Sequence, residues 1–145
     1  MVIDAYGRAG DPRAAEDALR RHPRPTAVSY NSVVSAWGSH SSTSPGGGLA
    51  HSAERAEAVL TEMTRRHRRG DAYVRPNAVS HTSVIAAWAR RAQAESRSGR
   101  GHKAALRAER ALERLVRAYS EEKDVDEDAA ADLRPNVVSY ACAIA

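Results

Sequence analysis

The side chains best equipped for chemistry in this chain do not assemble into a catalytic pattern. Six histidines, His22, His40, His51, His67, His81 and His102, show no spacing that would bring metal ligands together. Cys142 is the single cysteine, and with no evident base beside it a packed small thiol is a better reading than a nucleophile. Gly46-Gly47-Gly48 lacks the Gly-Lys-Ser/Thr ending of a phosphate loop, so no nucleotide cofactor is implied. What remains are short amide and hydroxyl side chains that recur in register, Thr26, Asn31, Asn77, Thr82 and Asn136, and a large complement of arginine. Amides and hydroxyls exchange hydrogen bonds with polar edges, and guanidinium binds phosphate or carboxylate through a planar fork. The expected chemistry is recognition; neither an enzyme nor a cofactor is expected.

These residues recur because the chain repeats. Pro25-Thr26-Ala27-Val28-Ser29-Tyr30 returns as Pro76-Asn77-Ala78-Val79-Ser80-His81 and again as Pro135-Asn136-Val137-Val138-Ser139-Tyr140. Downstream, Asn31-Ser32-Val33-Val34-Ser35-Ala36-Trp37 matches Thr82-Ser83-Val84-Ile85-Ala86-Ala87-Trp88, and Met1 to Tyr6 resembles the same stretch. The chain thus opens inside one unit (1–26), continues through repeats at 27–77 and 78–136, and starts another at 137–145. A targeting sequence, if there is one, would lie ahead of this stretch.

Each unit reads as two helices. Tyr30, Val33, Val34 and Trp37 make an i, i+3, i+4, i+7 stripe, as do His81, Val84, Ile85 and Trp88, which makes His81 a core residue. The second helices carry matching stripes at Ala56, Val59, Leu60, Met63 and at Ala108, Ala111, Leu112, Leu115. First helices are predicted at Val2–Arg8, Val28–Trp37, Val79–Arg90 and 137–145, and second helices near Pro12–Arg21, Ala53–Arg66 and Lys103–Tyr119. Asp11-Pro12 is a cap followed by proline at the first helical position. Inserted loops are expected at 38–51, 94–102 and 120–132, where glycine, serine or acidic residues collect. The fold class is all-α, an α-solenoid of stacked antiparallel hairpins, since one hairpin buries too little alone.

The formal charge of +4 and a pI near 9.6 favour an anionic partner. Arg65, Arg66, Arg68 and Arg69 cluster where they complement a helix C-terminus, with nucleic-acid contact as the other reading. From Glu121 to Asp132 there are seven acidic residues and one lysine, a surface that nucleic acid would avoid. No apolar run is long enough to span a bilayer, no signal-peptide pattern opens the chain, and a single cysteine excludes a secreted disulfide scaffold, so an intracellular setting is expected.

The Pro-Asn-Val-Val-Ser-Tyr opening, the aliphatic pair, the small residue and aromatic that follow, and an Ala-rich second helix ending near Thr61-Glu62-Met63 resemble the pentatricopeptide repeat across essentially the whole chain. The spacing from Pro25 to Pro76 and from Pro76 to Pro135 exceeds the family unit of about 35 residues, and the excess falls in the inserted loops.

The resemblance implies sequence-specific binding of single-stranded RNA in mitochondria or plastids, with other proteins of RNA processing as further partners and no small-molecule substrate. In this family a side chain early in the first helix and another just after the next unit's proline read one base. Here the pairs are Asn31 with Asn77 and Thr82 with Asn136, implying a pyrimidine and adenine respectively; Thr26 and Ala141 occupy the outlying reader positions. Val28, Val79 and Val138 stand on a helix flank that should be polar, where the resemblance implies a wedge between bases, while the alternative is cover for a neighbouring hairpin. Arg8 and Arg90 match in position and could contact phosphate. For Thr26, Asn77 and Asn136 the competing role is helix capping. Hydrophobic spacing alone would equally suit a protein-binding scaffold of the tetratricopeptide kind.

Overall fold

The computed structural model describes residues 2–39 and 48–135, and every regular element among them is helical. Contacts divide the chain into two compact units, Met1–Pro76 and Asn77–Ala145. Sequence placed one array over 1–145; the observed division falls at Pro76, one residue before the end of the 27–77 repeat.

The first unit holds α1 (Val2–Arg8), α2 (Pro12–Arg21), α3 (Ala27–Ser39), α4 (Gly48–Arg68) and a 3-10 turn at Ala72–Val74. The turn from α1 to α2 is built by Gly10 at φ 79°, with Asp11 N–H donating to the Tyr6 carbonyl at 3.0 Å. A left-handed residue there satisfies a carbonyl that the helix end leaves open, and glycine takes that conformation without a Cβ penalty. Asp11 then caps α2, its carboxylate accepting from Ala14 N–H at 3.0 Å, ahead of Pro12. The short turn forces α1 and α2 into a hairpin, α3 packs against both, and α4 packs against α3. Their shared core is Ile3, Ala15, Leu19, Val33, Val34, Ala56, Met63 and Val74, each large aliphatic worth about 1.5–3 kcal/mol on burial.

The second unit holds α5 (Ala78–Ser96), α6 (Gly101–Val125), the single turn α7 (Glu127–Ala130) and a 3-10 turn at Ala131–Leu133. Val84, Ile85 and Trp88 of α5 are buried, as are Ala104, Ala108, Ala111 and Leu115 of α6, while Leu112 is half-buried. The small residues let the two axes approach closely. A Cβ on Gly101 would lie 2.5 Å from the Ala92 carbonyl oxygen and 3.2 Å from Ser96 Cα. That glycine therefore marks a close helix approach, whereas its sequence context suggested a flexible loop.

The connections between helices are shorter and more helical than composition implied. The loop expected at 94–102 is shorter, residues 97–100, because α5 runs to Ser96 and α6 begins at Gly101. In place of a loop at 120–132, α6 continues to Val125, followed by α7 and a 3-10 turn through Leu133. Glu and Lys are good helix formers whose charges stay in water, and buried Ala130 and Leu133 supply the anchor that an acidic run alone lacks. Of the loop at 38–51, Gly38 and Ser39 belong to α3 and 48–51 to α4; the remainder, 40–47, lies outside the described residues, as do Asn136, Val138, Ala141, Cys142 and the helix expected at 137–145.

Candidate nucleic-acid interface

In the first unit, two first helices lie side by side, and a cleft of about 380 Å³ opens between them. Gly7 and Arg8 of α1 form one wall; Val28, Asn31, Ser32, Ser35 and Ser39 of α3 form the other. A Cβ at Gly7 would stand 3.4 Å from Ala36 Cβ, in ordinary van der Waals contact, so α1 and α3 lie close together without requiring glycine at this point. Val28 is 62% exposed and Val79, at the same place in α5, is 56% exposed. Neither valine belongs to the core of its unit. Ser32 donates to the Val28 carbonyl at 3.0 Å and Ser83 to the Val79 carbonyl at 2.9 Å, so the hydroxyl following Asn31 or Thr82 is turned back onto its own helix in both units. Asn31 and Thr82 are half-buried, and Arg8 and Arg90 are exposed. The cleft thus gathers Arg8, Val28 and Asn31, whereas Val79, Thr82 and Arg90 stand on α5 of the other unit.

Thr26 and Asn77 start the two first helices. Asn77 Oδ1 accepts from Ser80 N–H at 3.1 Å while Ser80 Oγ accepts from Asn77 N–H at 3.1 Å, a reciprocal capping box. At Thr26 the same arrangement is looser, with Thr26 N–H donating to Ser29 Oγ at 3.3 Å and Ser29 N–H to Thr26 Oγ1 at 3.5 Å. Both residues therefore perform the capping role that stood beside base reading.

The orientation of α3 is fixed from its buried side. Trp37 Nε1 donates to Glu16 Oε2 at 3.0 Å, Arg55 Nε donates to the same oxygen at 3.3 Å, and Arg55 Nη2 reaches Glu16 Oε1. Arg20 adds a bond to Oε1 at 2.7 Å. Glu16 is only 7% exposed, and these four contacts join α2, α3 and α4 at one carboxylate. His51 of α4, expected in a loop, stands edge-on to Trp37 with centroids 6.0 Å apart. At the other end of α3, Tyr30 Oη accepts from Arg66 Nη1 at 3.2 Å, and Arg66 Nη2 donates to Asp71 at 3.0 Å. The Tyr30 hydroxyl, followed by Asp71, raises the Arg66 pKa further above the ordinary range against the opposing effect of burial.

In the second unit, Trp88 is flanked by the Arg91 and Arg107 guanidiniums at 5.1 and 5.4 Å from its ring centroid. His81 takes the place of Tyr30; burial, with Arg114 nearby, pushes its pKa down to about 4, so it is neutral at pH 7. Its place in the core agrees with the sequence stripe.

Glu16 was not among the residues singled out in the sequence, yet a signal exists. Pro12, Ala15, Glu16 and Leu19 keep the buried spacing of α2, and a carboxylate on that stripe needs a cationic partner. Among the described residues no three His, Cys, Asp or Glu side chains converge as a metal site would require, and no helix is long and apolar enough to cross a membrane. No family model, curated protein or solved structure matches the chain.

Proposed function

We propose that the chain is an array of pentatricopeptide-type hairpins, stacked as an α-solenoid, that binds single-stranded RNA and does no catalysis. The cleft between α1 and α3 carries this reading. Its Arg8, Val28 and Asn31 supply a cation, an exposed aliphatic surface and an amide within one recess. A nucleotide in an unpaired strand presents the matching set: a phosphate, a base face and a hydrogen-bonding base edge. A duplex hides the last two, which is why an interface of this composition prefers a single strand. The net positive charge adds a sequence-independent term that salt screens. Service in organellar RNA processing, stability or translation is the setting we assign to it.

The test is fluorescence anisotropy with a set of single-stranded RNAs and their duplexes across a salt series. Tighter binding to single strands, with log affinity falling linearly against log salt, is the expected result. Equal affinity for duplex and single strand, or no affinity for either, would overturn the reading and leave a protein-binding scaffold ahead.

A further inference from the structure

We propose that the first unit holds a phosphate-binding site on the side of α3 away from the RNA cleft, in the recess bounded by α2, the buried face of α3 and α4. This recess has a volume of about 550 Å³, within the range of small-ligand pockets. Four guanidiniums line it, Arg20 from α2 and Arg55, Arg65 and Arg66 from α4, against two carboxylates, Glu16 and Glu62. With Asp71, which pairs with Arg66 beside the lining, four guanidiniums face three carboxylates, so the recess keeps a net positive charge.

The guanidiniums are already held in place. Arg55 is fixed on Glu16 through two donors, Arg66 between Tyr30 and Asp71, Arg20 on Glu16 and Arg65 on Glu62. Each guanidinium has five N–H donors, and these contacts engage one or two of them. Arg55 and Arg66, each held by two donors and only about a third exposed, need little further ordering on binding, which lowers the cost of capturing an anion. Arg20 and Arg65 have side chains 65% and 60% exposed, so an incoming group can reach them. Tetrahedral phosphate suits several forks approaching from two helices, and the fixed charge of arginine keeps the site cationic across physiological pH. Leu19, Pro25 and Val59 give the recess an apolar floor on which the sugar or base bearing the phosphate can rest.

Two sources can offer that chemistry, a free nucleotide or a terminal phosphate of an RNA. The site does not depend on the RNA cleft, because none of its residues lines that cleft. Titration of the whole chain with inorganic pyrophosphate, followed through the indole N–H resonances, tests it. Trp37 reports because its N–H rests on Glu16, which shares Arg20 and Arg55 with the incoming anion. A saturable shift at Trp37 with Trp88 unmoved is expected. Arg20→Gln with Arg65→Gln should weaken binding roughly tenfold or more, equivalent to about 1.4 kcal/mol per decade. Glu62→Gln, which removes the carboxylate paired with Arg65, should tighten it. Absence of a Trp37 shift, or an unchanged affinity in the double variant with helicity retained, would overturn the proposal. Competition by a 5′-phosphorylated RNA better than by the same RNA without its phosphate assigns the source to an RNA end. Competition by a nucleoside monophosphate alone assigns it to a free nucleotide, and either result upholds the site.

Discussion

Replacing Glu16 with alanine removes the acceptor of one buried indole donor and the counter-charge of two arginines at once. A buried donor deprived of its acceptor costs about 1–3 kcal/mol, and breaking a buried ion pair costs about 3–5 kcal/mol. The Arg55 and Arg20 side chains are 30% and 65% exposed, so water recovers much of their share, and the ion-pair cost belongs at the low end. We expect Glu16→Ala to destabilise the first unit by about 3 kcal/mol, and Glu16→Gln by about 1–2 kcal/mol because its amide oxygen still accepts from Trp37. Urea unfolding of the whole chain, read by the Trp37 and Trp88 indole resonances separately, measures the two units side by side. A double-mutant cycle with Arg55→Ala should return a coupling of about 1–3 kcal/mol. If Glu16→Ala leaves the Trp37 transition within about 0.5 kcal/mol of the parent, then α2 is held on α3 by apolar packing alone, and an additive cycle would mean that Arg55 does not couple to Glu16. The Trp88 transition should not respond.

His81 gives the second unit a pH dependence. Its folded pKa of about 4 lies below the ordinary value of 6.5, so between these limits the unfolded chain binds a proton that the folded unit refuses. Stability from this group is present above pH 6.5 and lost as pH falls to 4, about 3 kcal/mol in all. His81→Tyr, the residue at the matching place in α3, should flatten that loss in acid unfolding curves followed at Trp88. Gly101→Ala sets a Cβ against the Ala92 carbonyl and should cost about 1–3 kcal/mol in thermal unfolding, whereas a harmless substitution would show that α5 and α6 can separate freely. Asn31→Ala should lower RNA affinity about tenfold for the preferred base at one position and little for others, and Arg8→Glu should weaken all sequences and reduce the salt slope by about 1, both read in competition binding.

Helix positions were legible because periodicity and caps agreed. Val2–Arg8 and Pro12–Arg21 match the predicted spans, and the stripes at Tyr30 to Trp37 and His81 to Trp88 are buried as their spacing required. Loops were less legible because composition misleads where a helix end has no apolar signal. Gly99 and Gly101 look alike in sequence, but one has a positive φ and the other lies against a neighbouring backbone. The acidic residues from Glu121 gave no sign that Ala130 and Leu133 would be buried. The exposure of Val28 and Val79 followed from helical angle alone, about 100° per residue. The caps at Thr26 and Asn77 followed from their place ahead of Ser29 and Ser80. Arg55 was not legible, since its partner lies on a different helix far away in sequence and no local pattern connects them.

That long-range contact bears on the cleft it does not touch. An apolar stripe tolerates rotation about the helix axis, because valine packs against alanine at many angles. Tyr30 and Trp37 do not have that freedom, since each ends in a polar atom whose partner, Arg66 or Glu16, is itself anchored to another charged group. Holding both ends of the stripe fixes the angle at which the opposite face of α3 presents Val28 and Asn31, where a slip of one residue would turn them by about 100°. The base discrimination we propose for the cleft requires its amide placed to within a hydrogen bond, and loose packing cannot supply that. On the function proposed here, the buried charge on Glu16 serves this single orientation more than stability, for which a well-packed aliphatic side chain would do at least as well.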